Sequence, residues 1–212
     1  IKVLHPEMAS AEAVARMLRE ARTLAALEHP GIVPVHDAGL LPDGRAFCVM
    51  KWVKGHRLDE WTAPLADRLR VFEHVCQTVA FAHSRGVIHR DLKPANVMVG
   101  AFGEVLVLDW GIAKWLDQPQ APPLPSTAGP ATQHGAILGT AEYMAPEQSR
   151  GEPVDPRSDV YALGAILYEI LTGRPPFEGK SAEEVVKKVA NSPLMPPSAR
   201  AAVPPELEAI CL

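Results

Sequence analysis

One stretch of the sequence combines charged, amide and apolar side chains: His89-Arg90-Asp91-Leu92-Lys93-Pro94-Ala95-Asn96. It lies between two short apolar runs typical of strands, Val87-Ile88 and Val97-Met98-Val99, which places it on a loop. Loops held between regular elements often carry the residues that bind or react. This loop is therefore the first place to look for chemistry, and the rest of the chain can be placed around it.

The composition excludes several classes of protein. With 21 Lys and Arg against 25 Asp and Glu, the 212 residues carry a net charge of −4 and offer no basic surplus for nucleic-acid phosphates. The longest apolar helical stretch, residues 160–168, is too short to span a bilayer. The scattered Cys48, Cys76 and Cys211 form no C-x-x-C pair, which indicates a reducing, cytoplasmic compartment. We therefore expect a folded domain without nucleic acid, membrane segment or disulfide framework.

Hydrophobic periodicity predicts a β-rich beginning and a mainly helical remainder, with the change near Lys54-Gly55. Helices are predicted from Ala9 to Glu28, from Ala66 to Ser84, from Ser158 to Leu171 and onward from the capping box Ser181-Ala182-Glu183-Glu184. Strands are predicted at Ile1 to Leu4, Ile32 to Val35, Ala46 to Val53, Val87-Ile88, Val97 to Val99 and Val105 to Leu108. Gly86 suits the left-handed cap that ends a helix.

Two further motifs follow the opening stretch in a fixed order. Asp109-Trp110-Gly111 ends a predicted strand, and Ala145-Pro146-Glu147 comes later in the chain. This order resembles the protein-kinase signatures H-R-D-L-x-x-x-N, D-F-G and A-P-E. Lys2 on a strand and Glu20 on the next helix match the lysine and glutamate of that family. The resemblance implies an α+β, two-lobed kinase fold, with a small β-rich N-lobe containing one helix and a larger, mainly helical C-lobe.

The resemblance also assigns roles that phosphoryl transfer requires, since that reaction depends on positioning and charge neutralisation. Asp91 orients the substrate hydroxyl and accepts its proton, and Lys93 places a point charge on the transferring phosphate. Asn96 and Asp109 offer the oxygen ligands that Mg²⁺ or Mn²⁺ prefers. Lys2 holds the α and β phosphates of ATP while Glu20 pairs with its ammonium group.

Two segments of the sequence indicate the substrate class, and two others indicate the branch of the family. Asp91-Leu92-Lys93-Pro94 and the docking loop Gly139-Thr140-Ala141-Glu142-Tyr143 resemble the serine/threonine branch of the family. Gly173-Arg174-Pro175-Pro176-Phe177, like Glu147-Gln148, is similar to bacterial Hanks-type kinases. The resemblance implies ATP-dependent phosphorylation of Ser and Thr hydroxyls on protein substrates in signalling, and a homodimer for trans-autophosphorylation.

The strand Phe47-Cys48-Val49-Met50-Lys51-Trp52-Val53 resembles the one that leads into the family's adenine pocket. By that analogy Met50 is the gatekeeper, backbone groups of Lys51 and Val53 contact adenine, and Met98 lies beneath the base. The apolar side chains in this set also suit an ordinary core, so both interpretations stay open for them.

A column of Leu24, Val35, His89 and Trp110 is expected by analogy with the family's stacked regulatory residues. Trp110 stands where most members have phenylalanine, which keeps a large aromatic side chain but changes its shape.

The resemblance places the Pro-rich residues 118–132 in an activation loop. Thr132 resembles the threonine that bacterial relatives phosphorylate, and our hypothesis is that phospho-Thr132 docks on Arg90 and orders the loop. The remaining regulatory residues by analogy are Thr140 in the docking loop, Glu147 paired with an arginine beyond Leu212, and Asp159 as an anchor for the catalytic loop.

Three other classes of protein share part of this sequence pattern. Gly179-Lys180-Ser181 is similar to the end of a P-loop, but Arg174 stands where that motif needs glycine. Small-molecule kinases share the catalytic Asp and Asn but lack Ala145-Pro146-Glu147. The serious alternative is a pseudokinase or scaffold that binds partners without catalysis.

The family pattern contains parts that these residues lack, above all a glycine-rich loop ahead of Lys2. We therefore expect a kinase domain trimmed at both ends, with residues 1–54 as the N-lobe remainder and residues 55–212 as a C-lobe without its last helix. The 212 residues alone are expected to have negligible activity, and a chain extended at both ends is expected to be active.

Overall fold

A computed structural model of the chain describes residues 1–110 and 141–212, together with the backbone of Lys114–Trp115. Its helices are α1 (Ala11–Ala26), α2 (Leu65–Ser84), α3 (Pro146–Ser149), α4 (Pro156–Thr172), α5 (Ala182–Asn191) and α6 (Pro205–Cys211). Its strands are β1 (Lys2–Val3), β2 (Val35–Leu40), β3 (Ala46–Met50), β4 (Gly55–Arg57), β5 (Val87–Ile88), β6 (Val97–Gly100), β7 (Val105–Val107) and β8 (Lys114–Trp115). The α+β character expected from the sequence is confirmed.

The chain divides into two compact units. The first unit comprises Ile1–Thr62, Glu73–His89 and Ala95–Trp115. The second unit comprises Ala63–Phe72, Arg90–Pro94 and Leu116–Leu212.

In the first unit an antiparallel sheet of order β1-β3-β2 packs on helix α1. The Ser10 hydroxyl caps α1 by accepting a hydrogen bond from Ala13 N at 3.2 Å. The apolar face of α1 and the sheet share a buried cluster formed by Met17, Ala21, Ala46 and Cys48. Because Lys2 pairs with Cys48 in the register of β1 and β3, the sheet fixes the backbone that carries Lys2.

A second antiparallel sheet in this unit has the order β4-β6-β7. The β6–β7 pairing runs from Val99–Val105 to Val97–Val107, and Leu108 N continues it by donating to Asn96 O at 2.8 Å. Asn96, just before β6, and Asp109, just after β7, therefore lie at the same end of this two-stranded ribbon.

The second unit is mainly helical. Asp155 caps α4 by accepting from Arg157 N at 2.8 Å, and Gly173 ends the helix at a positive φ of 74°, a conformation that glycine adopts without steric strain. In α5 the Ser181 hydroxyl accepts from Glu184 N at 3.2 Å, while the Glu184 carboxylate accepts from Lys180 N at 2.9 Å. The predicted capping box is thus present with its second hydrogen bond moved one residue outward. Within residues 1–110 and 141–212, no helix combines the length and the apolar content that crossing a membrane requires.

One strand prediction was wrong, and another strand was not predicted. The strand expected at Ile32 to Val35 lies instead at Val35–Leu40, because Ile32 and Val33 are buried by packing and Pro34 has no N–H for a ladder. The strand Gly55–Arg57 was missed, since it forms by pairing with β6 and has no apolar alternation of its own. The predicted helices and the remaining predicted strands are present, with ends shifted by a few residues.

Candidate active site

The loop of residues 89–96 brings Asp91 and Lys93 together in the second unit. The Lys93 ammonium lies 3.0 Å from one carboxylate oxygen of Asp91 and 3.3 Å from the other. Both side chains are largely buried, with 15% of Asp91 and 17% of Lys93 exposed. Leu92 and Pro94 alternate with them and are buried, so the loop is anchored by its apolar residues and presents its charged ones together.

The residue before Asp91 has an unusual backbone conformation. Arg90 has φ of 72° and Asp109 has φ of 53°, and they are the non-glycine residues with positive φ within the described ranges. Such conformations are sterically disfavoured and persist where surrounding contacts hold them, commonly at functional sites. Around Arg90 those contacts are visible: its N–H donates to Asp159 Oδ1 at 2.8 Å, and its carbonyl accepts from Gln148 Nε2 at 2.9 Å.

The first unit contains a separate charged cluster, which we call the Lys2 cluster: Lys2, Glu20 and Asp109. The Lys2 ammonium lies 3.7 Å from Glu20 Oε1 and 3.5 Å from Asp109 Oδ1. Strand β1 supplies Lys2, helix α1 supplies Glu20, and the chain after β7 supplies Asp109. Residues distant in sequence thus bring one ammonium between two carboxylates.

Burial and charge act in opposite directions on the Lys2 cluster. Burial disfavours the charged form of Lys2, but the nearby Glu20 and Asp109 carboxylates outweigh it and raise the pKa of Lys2. Burial raises the pKa of Glu20, and Asp109 adds to this effect while Lys2 opposes it. The pKa of Glu20 therefore lies above that of an ordinary glutamate despite the attraction of Lys2.

Asn96 and Asp109 suit a divalent cation by the chemistry of their oxygens. An amide oxygen and a carboxylate are the donors that Mg²⁺ takes from proteins, with water and phosphate completing its shell. The side chain of Asp109 is 63% exposed and that of Asn96 is buried. Because both residues lie at the same end of the β6–β7 ribbon, their oxygens fit a divalent cation such as Mg²⁺.

The residues expected around adenine all lie in the first unit. Met50 packs against the buried cluster under α1 and is half-buried, as are Val53 and Met98. The Lys51 N–H donates to Pro34 O at 3.1 Å. Because this N–H already has a partner, the backbone group of Lys51 expected to contact adenine is its carbonyl.

His89 and Trp110 form an aromatic contact in the same unit, with ring centroids 4.6 Å apart. Both side chains are fully buried, and each is tied to a backbone carbonyl: His89 Nε2 to Leu108 at 2.9 Å and Trp110 Nε1 to Val107 at 3.1 Å. Leu24 is also buried and Val35 half-buried. The indole N–H, which phenylalanine lacks, thus gives Trp110 an additional anchor.

The structure describes some of the remaining regulatory residues and not others. The Glu147 carboxylate accepts a hydrogen bond from Ser158 Oγ at 2.5 Å, a partner that the sequence did not indicate. Thr132 and Thr140 lie outside the described residues. Burial lowers the pKa of Arg90 against the opposing charge of Asp159, and its buried Nε has no hydrogen-bond partner among the residues that the structure describes.

Gln148 is the residue that sequence reasoning missed. The sequence indicates it only as part of the pair Glu147-Gln148, yet its side-chain amide donates to the backbone carbonyl of Arg90, 58 positions away. With Arg90, Asp91, Tyr143 and other residues of this unit, it lines a small open pocket.

Comparisons with known proteins agree with the motifs. A family model described as protein kinase domain matches residues 1–207. The serine/threonine-protein kinase PknB of Mycolicibacterium smegmatis is 43% identical over 222 aligned residues, covering 100% of this chain and 34% of the relative. PknB of Mycobacterium tuberculosis is 41% identical over 213 residues, covering 94% of this chain and 32% of the relative. PknD of Protochlamydia amoebophila is 39% identical over 199 residues, covering 82% of this chain and 20% of the relative. The chain thus spans about a third of the length of the PknB relatives.

Proposed function

The chain belongs to the protein kinase domain family, with the α+β kinase-like fold, and from that membership we propose that it transfers the γ-phosphoryl group of ATP to serine and threonine hydroxyls of proteins. The observation that carries the proposal is the pairing of Asp91 with Lys93 at 3.0 Å on a loop whose backbone is held in a strained conformation. The two PknB relatives are serine/threonine-protein kinases, and this supports the substrate class.

Asp91 would act as the catalytic carboxylate. Its oxygens orient the substrate hydroxyl and accept its proton as the oxygen attacks phosphorus. Lys93 contacts the same carboxylate, and its ammonium would neutralise charge on the transferring phosphoryl group. Because both side chains are largely buried, little water surrounds them and their charges act over short distances with little screening.

Lys2 would hold the α and β phosphates of ATP, with Glu20 keeping its ammonium in place. Asn96 and Asp109 would hold Mg²⁺ or Mn²⁺. When bound, that ion neutralises charge on the phosphates. The Lys51 carbonyl and the Val53 backbone would contact adenine between Met50 and Met98.

Regulation would follow from a phosphate on Thr132. A partly buried guanidinium such as that of Arg90, whose Nε is buried without a partner among the described residues, is suited to a dianionic phosphate, which accepts several charge-assisted hydrogen bonds. Trans-autophosphorylation within a homodimer would supply that phosphate. Thr132→Ala in the full-length protein is then expected to reduce activity, and unchanged activity would exclude this role.

The test of the function is radiolabelled phosphate transfer from ATP to a generic protein substrate by the full-length protein that contains this chain. We expect phosphoserine and phosphothreonine in the hydrolysed product, and none with the Asp91→Asn variant. Phosphotyrosine alone would contradict the substrate class. An inactive wild-type protein would favour the scaffold, a partner-binding domain without catalysis.

A further inference from the structure

We propose that Gln148 is a positioning residue for Asp91: its side-chain amide fixes the peptide group that joins Arg90 to Asp91. The inference rests on the proposed function, in which Asp91 is the catalytic carboxylate. Gln148 lies on helix α3, and its side chain hydrogen-bonds to the backbone of the loop.

Side-chain hydrogen bonds hold the peptide groups on both sides of Arg90. Gln148 Nε2 donates to the Arg90 carbonyl at 2.9 Å, and that carbonyl belongs to the same planar peptide group as the N–H of Asp91. The preceding peptide group is held by Asp159, whose Oδ1 accepts from Arg90 N at 2.8 Å. Both peptide groups around Arg90 are thus fixed by side chains, so rotation about its φ and ψ is blocked at the positive φ of 72°.

Two hydrogen bonds determine the direction in which the Gln148 amide points. Gln148 Oε1 accepts from Ala145 N at 3.1 Å, at the start of α3. A backbone N–H can only donate and a carbonyl can only accept, so these two partners fix which end of the amide faces which. Glutamate has the same shape and could still accept from Ala145, but it would turn a carboxylate oxygen toward the Arg90 carbonyl and repel it. The site therefore requires an amide and excludes its acidic isostere.

A consequence follows for the segment that precedes α3. One side chain connects the Ala145 N–H with the peptide group of Asp91, so a displacement of Ala145 would reach the catalytic carboxylate through a single amide. Because a misplacement of about 1 Å can reduce a rate by about a hundredfold, this connection is sufficient to influence turnover.

The test uses Gln148→Glu and Gln148→Met in the full-length protein, with Gln77→Glu as the charge-matched control. Gln77 lies exposed on α2 and donates only to the neighbouring Glu73 at 3.3 Å within the described residues. We expect both Gln148 variants to lower kcat by about 10- to 100-fold at saturating ATP and protein substrate, with ATP affinity and unfolding midpoint within the range of the control. A wild-type kcat in Gln148→Glu would overturn the inference.

A double-mutant cycle separates positioning from a general structural role. If Gln148 acts through Asp91, Gln148→Glu causes no further loss in an Asp91→Asn background. Losses that multiply would contradict the inference, because they would show that Gln148 acts by another route.

A measurement without catalysis keeps the inference separate from the proposed function. Amide hydrogen exchange of a peptide covering residues 89–96 should become faster in Gln148→Glu than in wild type and in Gln77→Glu. Unchanged exchange would contradict the positioning role of Gln148 even in an active kinase. If the wild-type protein transfers no phosphate but exchange is faster in Gln148→Glu, Gln148 holds the loop and the proposed function is wrong.

Discussion

The Lys2 cluster and the Asp91–Lys93 pair are both charged, but they are held in different ways. In the Lys2 cluster the side chains of Lys2 and Asp109 are 50% and 63% exposed, and the ammonium lies 3.5 Å or more from each carboxylate. In the second unit Asp91 and Lys93 are 15% and 17% exposed and lie 3.0 Å apart. Solvent and salt therefore screen the first cluster far more than the second.

This difference corresponds to two tasks in the proposed reaction. An exposed ammonium between two carboxylates can change partners when phosphates arrive, because it is weakly held. A buried pair on a backbone fixed by Asp159 and Gln148 is preorganised, so little reorganisation is needed when the hydroxyl reacts. The comparison predicts that variants in the second unit reduce the rate of transfer most, and that variants in the Lys2 cluster reduce the use of ATP.

Asp91→Asn should give the largest effect. The amide keeps the shape but loses the base, so kcat should fall by about 10²- to 10⁴-fold. Steady-state phosphate transfer measures this, with Asp43→Asn in the exposed β2–β3 turn as the matched control. A loss of less than about tenfold would remove Asp91 from the role of general base.

Lys2→Met should come next. It removes charge-assisted hydrogen bonds worth about 1.5–3 kcal/mol, so kcat/KM for ATP should fall by about 10- to 150-fold. The control is Lys187→Met, at an exposed position of α5. Equal losses in the two variants would mean that Lys2 is an ordinary surface lysine.

Glu20→Gln should have a smaller effect, because Glu20 acts through Lys2. Its side chain is 14% exposed and its partner 50% exposed, a pair intermediate between exposed and buried ones. We expect a loss of about 1–2 kcal/mol, a factor of about 5–30 in kcat/KM for ATP. A loss as large as that of Lys2→Met would contradict the indirect role.

Glu20 also predicts a pH dependence. Burial raises the pKa of Glu20 above its ordinary 4.5, so on acidification the Lys2–Glu20 pair is lost earlier than a pair with an ordinary glutamate. The kcat/KM for ATP should therefore begin to fall at a pH above 4.5 in wild type, and this step should be absent in Glu20→Gln. The free energy of unfolding depends on pH in the opposite direction. The contribution of Glu20 to stability is present at low pH and is lost as pH rises through the raised pKa.

Trp110→Phe should change activity least. It removes the indole N–H that bonds to the Val107 carbonyl and leaves a space beside His89, so the free energy of unfolding should fall by about 1–3 kcal/mol. Denaturant unfolding measures this change. A loss of kcat/KM for ATP larger than that of Glu20→Gln would show that the tryptophan acts in catalysis as well as in packing.

The parts of the fold that the sequence predicted are those with local signals. The helices were found because apolar spacing and capping residues such as Ser181 act within a few positions. The strand Gly55–Arg57 was missed because it is made by its partner, β6, rather than by its own composition.

The candidate site divides in the same way. Asp91, Lys93, Asn96 and Asp109 could be identified because motifs fix their order along the chain. Gln148 has no such signature: its importance lies in a hydrogen bond to a backbone carbonyl 58 positions away, which only the three-dimensional structure reveals.

The central claim is that the two charged regions perform separable tasks, and ATP binding by Asp91→Asn tests it most directly. The dissociation constant of ATP, measured by calorimetry with Mg²⁺ on the full-length protein, should stay within about twofold of the wild-type value while transfer is lost. A weakening of about tenfold or more, comparable to that of Lys2→Met, would contradict the account, because Asp91 would then contribute to holding ATP.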